Sequence, residues 1–242
     1  MLLMSLFSFS ILFALLAGLA APAFAAAPAT LPGVLPDTLQ QRLVACTSCH
    51  AAKKYRDAFF PHIAGKPAGY LYNQLLNFRE GRRQYPLMTY MVDHLPDPYL
   101  REIAQYFSEL PPITVSAQAS TASKAALVRG RTLATLGDSA IDVPACIACH
   151  GQKLTGVAPA IPGLLGLPRD YINAQFGAWR NHVRRANAPD CMGLISNRLS
   201  DQDVAAVSSW LATQPMPPDA RPAAAPAGPL PIKCGGMTDG GN

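Results

Sequence analysis

Two pentapeptides decide how this chain is organised: CTSCH at residues 46–50 and CIACH at residues 146–150. Each has two cysteines three positions apart and a histidine directly after the second. Together they use four of the six cysteines and two of the five histidines. Cys-x-x-Cys-His is the attachment signature of c-type haem. On one helical turn the two thiols reach the two vinyl groups of a single haem, and the histidine faces its iron.

The sequence therefore predicts two covalently attached haem c groups. Three other interpretations of the motif fit less well. A redox-active Cys-x-x-Cys needs no adjacent histidine and occurs in a βαβ context that this sequence lacks. A zinc site would leave both histidines unused, and a disulfide within three residues has poor geometry. The predicted attachment and iron-binding residues are Cys46, Cys49 and His50 for the first haem and Cys146, Cys149 and His150 for the second.

The segments that follow the two motifs also match in order. GYLYNQLLNFREGRR at 69–83 corresponds to DYINAQFGAWRNHVRR at 170–185, with a constant offset of 101 residues between paired positions such as Tyr70 and Tyr171. Further on, the segment 95–110 pairs with 199–214. The chain is a tandem duplication, and each copy carries one haem motif.

Each copy has apolar residues at helical spacing and no strand signal of comparable strength. Asp97 and Pro98 are the expected N-cap and first residue of one closing helix, and Ser200 the N-cap of the other. The expected fold class is all-α, with two tandem haem domains joined by a short linker after an N-terminal signal segment; the resemblance described below makes these domains cytochrome c-like. The expected boundaries are 1–25 for the signal peptide, 26–112 for the first domain, 113–123 for the linker, 124–213 for the second domain and 214–242 for a Pro/Ala/Gly-rich tail.

The N-terminal segment has the composition of an export signal. It contains no charged side chain and runs from a Leu/Phe-rich stretch into small residues, ending in Ala23-Phe24-Ala25. The mature chain is expected to begin near Ala26 in the periplasm. An uncleaved membrane anchor is the alternative, because the apolar stretch is long enough to span a bilayer.

Methionine is the expected sixth ligand of both irons, because it raises the reduction potential and closes the site. Met88 and Met91 are the candidates in the first copy, whereas the second copy offers Met192 and has Ile195 opposite Met91. Counting back from the matched leucines pairs Met88 with Met192, which are therefore the predicted axial ligands. The remaining histidines have no counterpart in the opposite copy and are expected to be surface or packing residues: His62, His94 and His182.

A proline-containing loop follows each predicted haem histidine. Pro61 and Pro159 each open a P-x-I-x-G stretch, eleven and nine residues after the histidine. A carbonyl oxygen in this loop is expected to accept a hydrogen bond from the second ring nitrogen of the histidine, which would fix the orientation of the ring. A plain turn is the alternative.

Over residues 37–213 the chain resembles the dihaem cytochromes c4. The resemblance includes both haem motifs, the segment PHIAGKPAGYLYNQLLNFREGRR, the two methionine positions and the closing helices LREIAQYF and VAAVSSWL. It implies two cytochrome c domains that face each other across a pseudo-two-fold axis, and irons with His/Met ligation. It also implies electron transfer to a terminal oxidase or between periplasmic redox partners. The Pro/Ala-rich tail with Cys234 is not part of the family pattern.

Two cysteines remain after the haem motifs are filled, Cys191 and Cys234. In an oxidising compartment an even remainder predicts a disulfide, which would hold the tail near the second haem. The alternative is that Cys191, instead of Met192, binds the second iron. A thiolate ligand would lower the reduction potential and would suit catalysis on sulfur compounds more than simple electron transfer.

The leading prediction for function is an electron carrier, not an enzyme, with redox proteins as its partners. The net charge of +5 indicates acidic docking patches on those partners. Basic residues are scattered, with no run of basic residues interleaved with aromatic ones, which argues against nucleic acid as a partner.

Two alternative functions stay open. One is a dihaem enzyme with one catalytic haem, such as a thiosulfate dehydrogenase or a peroxidase. The other is a fixed cytochrome subunit of a membrane-bound dehydrogenase or oxidase complex.

Overall fold

The computed structural model describes residues 38–50 and 59–237. The predicted signal peptide, the expected start of the mature chain near Ala26 and the last five residues of the tail lie outside the described residues. The described residues belong to one compact unit, Thr38–Asn242.

The two copies of the repeat fold into matching sets of short helices. The described helices of the first copy are α1 (Leu39–Arg42), α2 (Val44–His50), α3 (Ala68–Arg79), α4 (Pro86–Val92) and α5 (Asp97–Glu109). Those of the second copy are α6 (Lys124–Thr135), α7 (Cys146–His150), α8 (Arg169–Arg180), α9 (Cys191–Arg198) and α10 (Asp201–Thr213). Short 3₁₀ turns lie at Ser139–Ile141 and Gly235–Met237.

The second copy also contains a short β-hairpin, with two residues in each strand, that was not predicted from the sequence. Strand β1 (Gly156–Val157) pairs antiparallel with β2 (Ile161–Pro162), and Val157 lies opposite Ile161. Both strands fall in the loop after the second haem motif. The all-α prediction is otherwise confirmed for the described residues.

Each copy buries its own hydrophobic core. The first core contains Leu43, Leu100 and Phe107, all at most 1% exposed, and the second contains Leu133 and Val207, at most 2% exposed. Burying one such side chain contributes about 1.5–3 kcal/mol. Two separate cores are what a tandem duplication of one folding unit predicts.

One arginine in each copy ties the third helix to the closing helix. Arg79, at the end of α3, donates to the carbonyl oxygen of Leu95 at 2.8 Å and to the carboxylate of Asp97 at 2.5 Å. Arg180, at the end of α8, donates to the corresponding carbonyl of Leu199 and to Asp201. These contacts confirm that Leu95 and Leu199 are equivalent positions.

The start of α5 differs from the predicted one by one residue. The N-cap is Pro96 and Asp97 is the first helical residue. The Asp97 carboxylate accepts hydrogen bonds from Arg79 and Tyr72, so it is not available to cap the helix. Ser200 caps α10 as predicted, in a capping box with Asp203.

Gly130 permits the close packing of α6 on α10. A Cβ atom at this position would lie 2.2 Å from the carbonyl oxygen of Ala206. The absence of a side chain at this position is therefore what lets the two helices approach so closely.

The linker and the tail run along the surface without long regular elements. Residues 113–123 have no helix or strand, although the Gln118 amide donates to the carbonyl of Ala212 at 2.8 Å. After α10 the tail crosses the second copy and pairs with β1 at Ala223. In the described ranges, no helix has the length and apolar character needed to span a bilayer.

Candidate haem sites

The first haem motif ends α2, which places both cysteines and the histidine on one short helix. The Nδ1 atom of His50 lies 2.9 Å from the carbonyl oxygen of Pro61. A carbonyl can only accept, so Nδ1 carries the proton and donates. The lone pair of the neutral ring is then on Nε2, which is the arrangement that an iron ligand requires.

The second motif, in α7, repeats this geometry. The Nδ1 atom of His150 donates to the carbonyl oxygen of Pro162 at 2.7 Å. Pro162 lies on β2, so the hairpin with β1 holds the acceptor in place. Both copies therefore orient an imidazole through a backbone carbonyl, as the partners of metal-binding histidines commonly do.

The loop prediction is confirmed, but the two acceptors do not occupy the same position of the P-x-I-x-G stretch. Pro61 opens its stretch, whereas Pro162 is the fourth residue of the stretch that Pro159 opens. The offset of 101 that relates α3 to α8 pairs Pro61 with Pro162. The left-handed glycines Gly65 (φ 72°) and Gly166 (φ 76°) follow the same offset. The acceptor of the second loop therefore lies three residues after Pro159, the position that the P-x-I-x-G pattern predicts.

Burial keeps the ligand groups of both sites neutral. Desolvation lowers the pKa of His50 and of His150, although the hydrogen bond to the proline carbonyl opposes the shift in each case. Desolvation also raises the pKa of the Cys46 thiol and raises that of Cys146 to about 11. A neutral imidazole is the form that binds iron, so both histidines fit the cofactor.

The four motif cysteines are not joined in disulfides and lie in two separate places. Cys46 packs against the first core and Cys146 against the second. The thiol pairs are therefore arranged for two independent cofactors. In the part of the chain that the structure describes, no three His, Cys, Asp or Glu side chains form a group that could hold one metal ion.

Both predicted axial methionines lie beside the core that also receives their haem cysteine. Met88 is in α4 and packs with the first core, and Met192 is in α9 and packs with the second. Met91 packs with the first core as well, while Ile195 at the equivalent position is 9% exposed. Because Leu95 and Leu199 are equivalent, Met88 and Met192 occupy the same place in the two copies. Their role as iron ligands stays a prediction.

The two remaining cysteines form a disulfide. Cys191 and Cys234 are bonded, with 5.2 Å between their Cα atoms. The predicted disulfide is confirmed, and the thiol of Cys191 is not available as an iron ligand in this structure. The bond lies directly beside Met192.

The other histidines occupy different environments. His94 is largely exposed and lies 3.4 Å from the carboxylate of Asp93. His182 is exposed and has a left-handed backbone (φ 59°). His62 is half-buried beside His50, and burial lowers its pKa.

A pair of arginines between the two copies was not singled out as functional from the sequence. The backbones of Arg83 and Arg184 form an antiparallel bridge. Each guanidinium donates hydrogen bonds to the side chains of Gln74 in α3 and Gln175 in α8. The repeat offset relates the two residues and is the signal that could have found them. Each guanidinium also stacks on the aromatic ring of its own copy, Phe78 at 4.7 Å for Arg83 and Trp179 at 3.9 Å for Arg184.

This arginine pair carries two adjacent positive charges in a buried place. Arg184 is only 6% exposed, and burial together with the charge of Arg83 lowers its pKa. In the described ranges both guanidinium groups donate to neutral oxygens, those of the Gln74 and Gln175 side chains and of the Tyr70 and Tyr171 hydroxyls, at 2.5–3.5 Å. Buried charges are normally paired with an opposite charge. The propionates of a bound haem would be carboxylate partners for this arginine pair.

Comparison with known proteins is consistent with this geometry. No protein-family model matches the chain. A thiosulfate dehydrogenase electron acceptor from Thiomonas intermedia is 36% identical over 176 residues, which cover 72% of this chain and 80% of that protein. A cytochrome c4 from Pseudomonas aeruginosa is 32% identical over 71% of this chain and 85% of its own length. The crystal structure of reduced cytochrome c4 from Pseudomonas stutzeri aligns with a TM-score of 0.61 and 28% identity, covering 72% of this chain and 95% of that one.

Proposed function

The chain belongs to the cytochrome c4 family of dihaem cytochromes, and from this premise we propose that it is a periplasmic electron carrier that accepts electrons from a thiosulfate-oxidising dehydrogenase. It carries two covalently attached haem c groups. When bound, each haem would supply an iron that can hold one electron and release it again. The protein then passes the electrons to a further redox protein, such as a terminal oxidase.

The observation that carries this proposal is the disulfide between Cys191 and Cys234. A catalytic second haem would need an open position or a thiolate ligand, and Cys191 is the residue that could supply a thiolate. The bond removes that thiol and leaves Met192 as the neighbouring sulfur donor. Methionine ligation closes the iron and raises its reduction potential, as electron transfer requires.

The chain's own residues hold both cofactors in the same manner. Cys46, Cys49, Cys146 and Cys149 would tether the two macrocycles through thioether bonds. The Pro61 and Pro162 carbonyls orient the rings of His50 and His150, whose Nε2 atoms would bind the irons. Met88 and Met192 would complete the two metal sites. Two closed sites in one molecule would suit the uptake of two electrons in succession.

The proposed domains follow the division of the core. A first haem domain over 26–112 and a second over 124–213, joined by the linker 113–123, each contain one hydrophobic core. The second core also receives Ile232 from the tail 214–242.

The disulfide bond supports the proposed periplasmic location. Disulfides persist in oxidising compartments and are rare in the cytoplasm, so the Cys191–Cys234 bond supports export. The uncharged apolar segment at residues 1–25 has the composition of an export signal.

The choice of donor rests on the similar protein named as a thiosulfate dehydrogenase electron acceptor and on charge. With a net charge of +5, the carrier is expected to dock on acidic patches of its partners. Such docking is small and transient, and it speeds association more than it adds affinity.

The test mixes the oxidised holoprotein with a purified thiosulfate dehydrogenase and thiosulfate in a stopped-flow spectrophotometer. We expect both haems to become reduced only when the enzyme and thiosulfate are both present. The rate should fall as salt rises to about 0.15 M, where the screening length is about 8 Å. Reduction by thiosulfate alone, with turnover against an artificial oxidant, would instead support the catalytic alternative.

A further inference from the structure

The C-terminal tail of the chain contacts the two segments that carry the predicted iron ligands of the second site, one next to His150 and one next to Met192. We call residues 216–237 the C-terminal strap. At Ala223 the strap joins the loop that follows His150: its amide donates to the carbonyl of Gly156 at 2.9 Å, and its carbonyl accepts from the amide of Ala158 at 2.8 Å. This is the loop whose Pro162 carbonyl orients His150.

Further along, the strap joins the segment that leads into Met192. Cys234 is bonded to Cys191, the first residue of α9, and the amide of Gly235 donates to the carbonyl of Pro189 at 2.9 Å. Ile232 of the strap packs on the second core together with Met192. One stretch of chain therefore connects the histidine side and the methionine side of the same site.

The fit at the methionine side is close. A Cβ atom on Gly235 would lie 2.1 Å from the carbonyl oxygen of Ala188, so any larger residue would clash there. The next carbonyl, of Gly236, accepts a hydrogen bond at 2.8 Å from the Asn73 side chain of the first copy. Asn73 is 7% exposed.

The helix that carries Met192 is short. It has eight residues, and its first turn is held by the Asp190 side chain, which accepts from the amides of Gly193 at 2.9 Å and Ala186 at 2.8 Å. Helices of this length are not stable by themselves and depend on tertiary contacts. The equivalent helix α4 of the first copy begins at Pro86, and the first copy has no cysteine besides those of its haem motif.

We propose that the Cys191–Cys234 disulfide is a positioning bond for the second iron: it fixes the first turn of α9 and thereby keeps the Met192 sulfur on the metal. This inference rests on the proposed His/Met ligation. The disulfide excludes conformations in which the first turn of α9 moves away from the second haem site. The Met192 sulfur would therefore leave the iron less often. The first site depends on non-covalent packing of α4 alone.

The test uses the holoprotein with both cysteines replaced, Cys191→Ser together with Cys234→Ser. The single variant Cys234→Ser is unsuitable, because it would free the Cys191 thiol beside the iron. The readouts are the methionine-to-iron charge-transfer band of the ferric protein and titration with imidazole, which binds to an iron that has lost its methionine. The first haem of the same molecule is the internal reference for folding and haem content.

We expect the double variant to bind imidazole at one haem about tenfold more tightly than the wild type, since apparent affinity follows the population of the open state. Its charge-transfer band should weaken at that haem only. The matched control Asn73→Ala removes the hydrogen bond from the strap to the first copy and retains the disulfide, so it should titrate like the wild type.

Three outcomes would overturn the positioning role: an unchanged titration of the double variant, equal weakening at both haems, or the same effect in Asn73→Ala. The variant Met192→Ala separates this inference from the proposed ligation. If Met192→Ala leaves the full charge-transfer band, the ligation itself is wrong. If Met192→Ala removes one haem's share of the charge-transfer band while the Cys191→Ser/Cys234→Ser variant behaves like the wild type, the ligation holds and only the positioning role is wrong.

Discussion

At the scale of single residues, the chemistry of each site depends on one imidazole with one defined tautomer. His50 and His150 both donate through Nδ1 to a proline carbonyl, at 2.9 and 2.7 Å. The hydrogen bond orients the ring and directs the Nε2 lone pair toward the metal. The motif alone names the histidine, whereas the carbonyl comes from a loop eleven or twelve residues later.

The choice between the two methionines of α4 is also a question about single residues. Replacing Met88 with Ala should remove about half of the methionine charge-transfer absorbance and lower one of the two reduction potentials, because methionine ligation raises the potential. The matched variant Met91→Ala changes a neighbouring methionine that packs with the same core, and it should keep both ligation signals. The reverse pattern in near-infrared spectra and potentiometric titration would assign Met91 as the ligand.

At the scale of elements, apolar periodicity predicted the long helices well because each buries one face in its own core. The closing helices α5 and α10 are where the pattern placed them, to within one residue. The hairpin β1–β2 was not predicted, since two-residue strands leave no periodic signal. The start of α5 was off by one residue because the carboxylate of Asp97 is bound by Arg79 instead of capping the helix.

The contact between α6 and α10 provides a test at this scale. Gly130→Val should lower the free energy of unfolding by about 3 kcal/mol, because a larger residue forces apart helices whose backbones touch. The matched control Arg131→Val places the same side chain at an exposed position of the same helix, where a change within about 0.5 kcal/mol is expected. Chemical denaturation of the two holoproteins measures both values. Equal stability of the two variants would show that α10 moves away from α6 at little cost.

At the scale of the whole molecule, the two copies meet through a reciprocal hydrogen-bond network. Gln74 and Gln175 each accept from both arginines of the pair, so each copy contributes donors to the other. The arrangement follows the sequence repeat, so the contacts are reciprocal. The network therefore links the two copies directly.

Removing one arginine tests this network. Arg184→Met should lower the free energy of unfolding by about 2 kcal/mol, because buried acceptors lose donors and the stacking on Trp179 is weakened. The exposed neighbour Arg185 provides the control Arg185→Met, for which a change close to zero is expected. Denaturant titration of the holoproteins compares the two. A more stable Arg184 variant would mean that repulsion between the guanidinium groups outweighs their hydrogen bonds.

The sequence by itself determined the cofactor chemistry and the duplication. The haem motif is a run of five consecutive residues, and the duplication appears when the two halves of the sequence are compared, so neither requires knowledge of the fold. Tertiary structure alone decided that Pro162 and not Pro159 orients the second histidine, that Asp97 binds Arg79, and that the C-terminal strap reaches both sides of the second site. These features depend on atoms that are distant along the chain, and their distances are set by how the helices pack and the loops close.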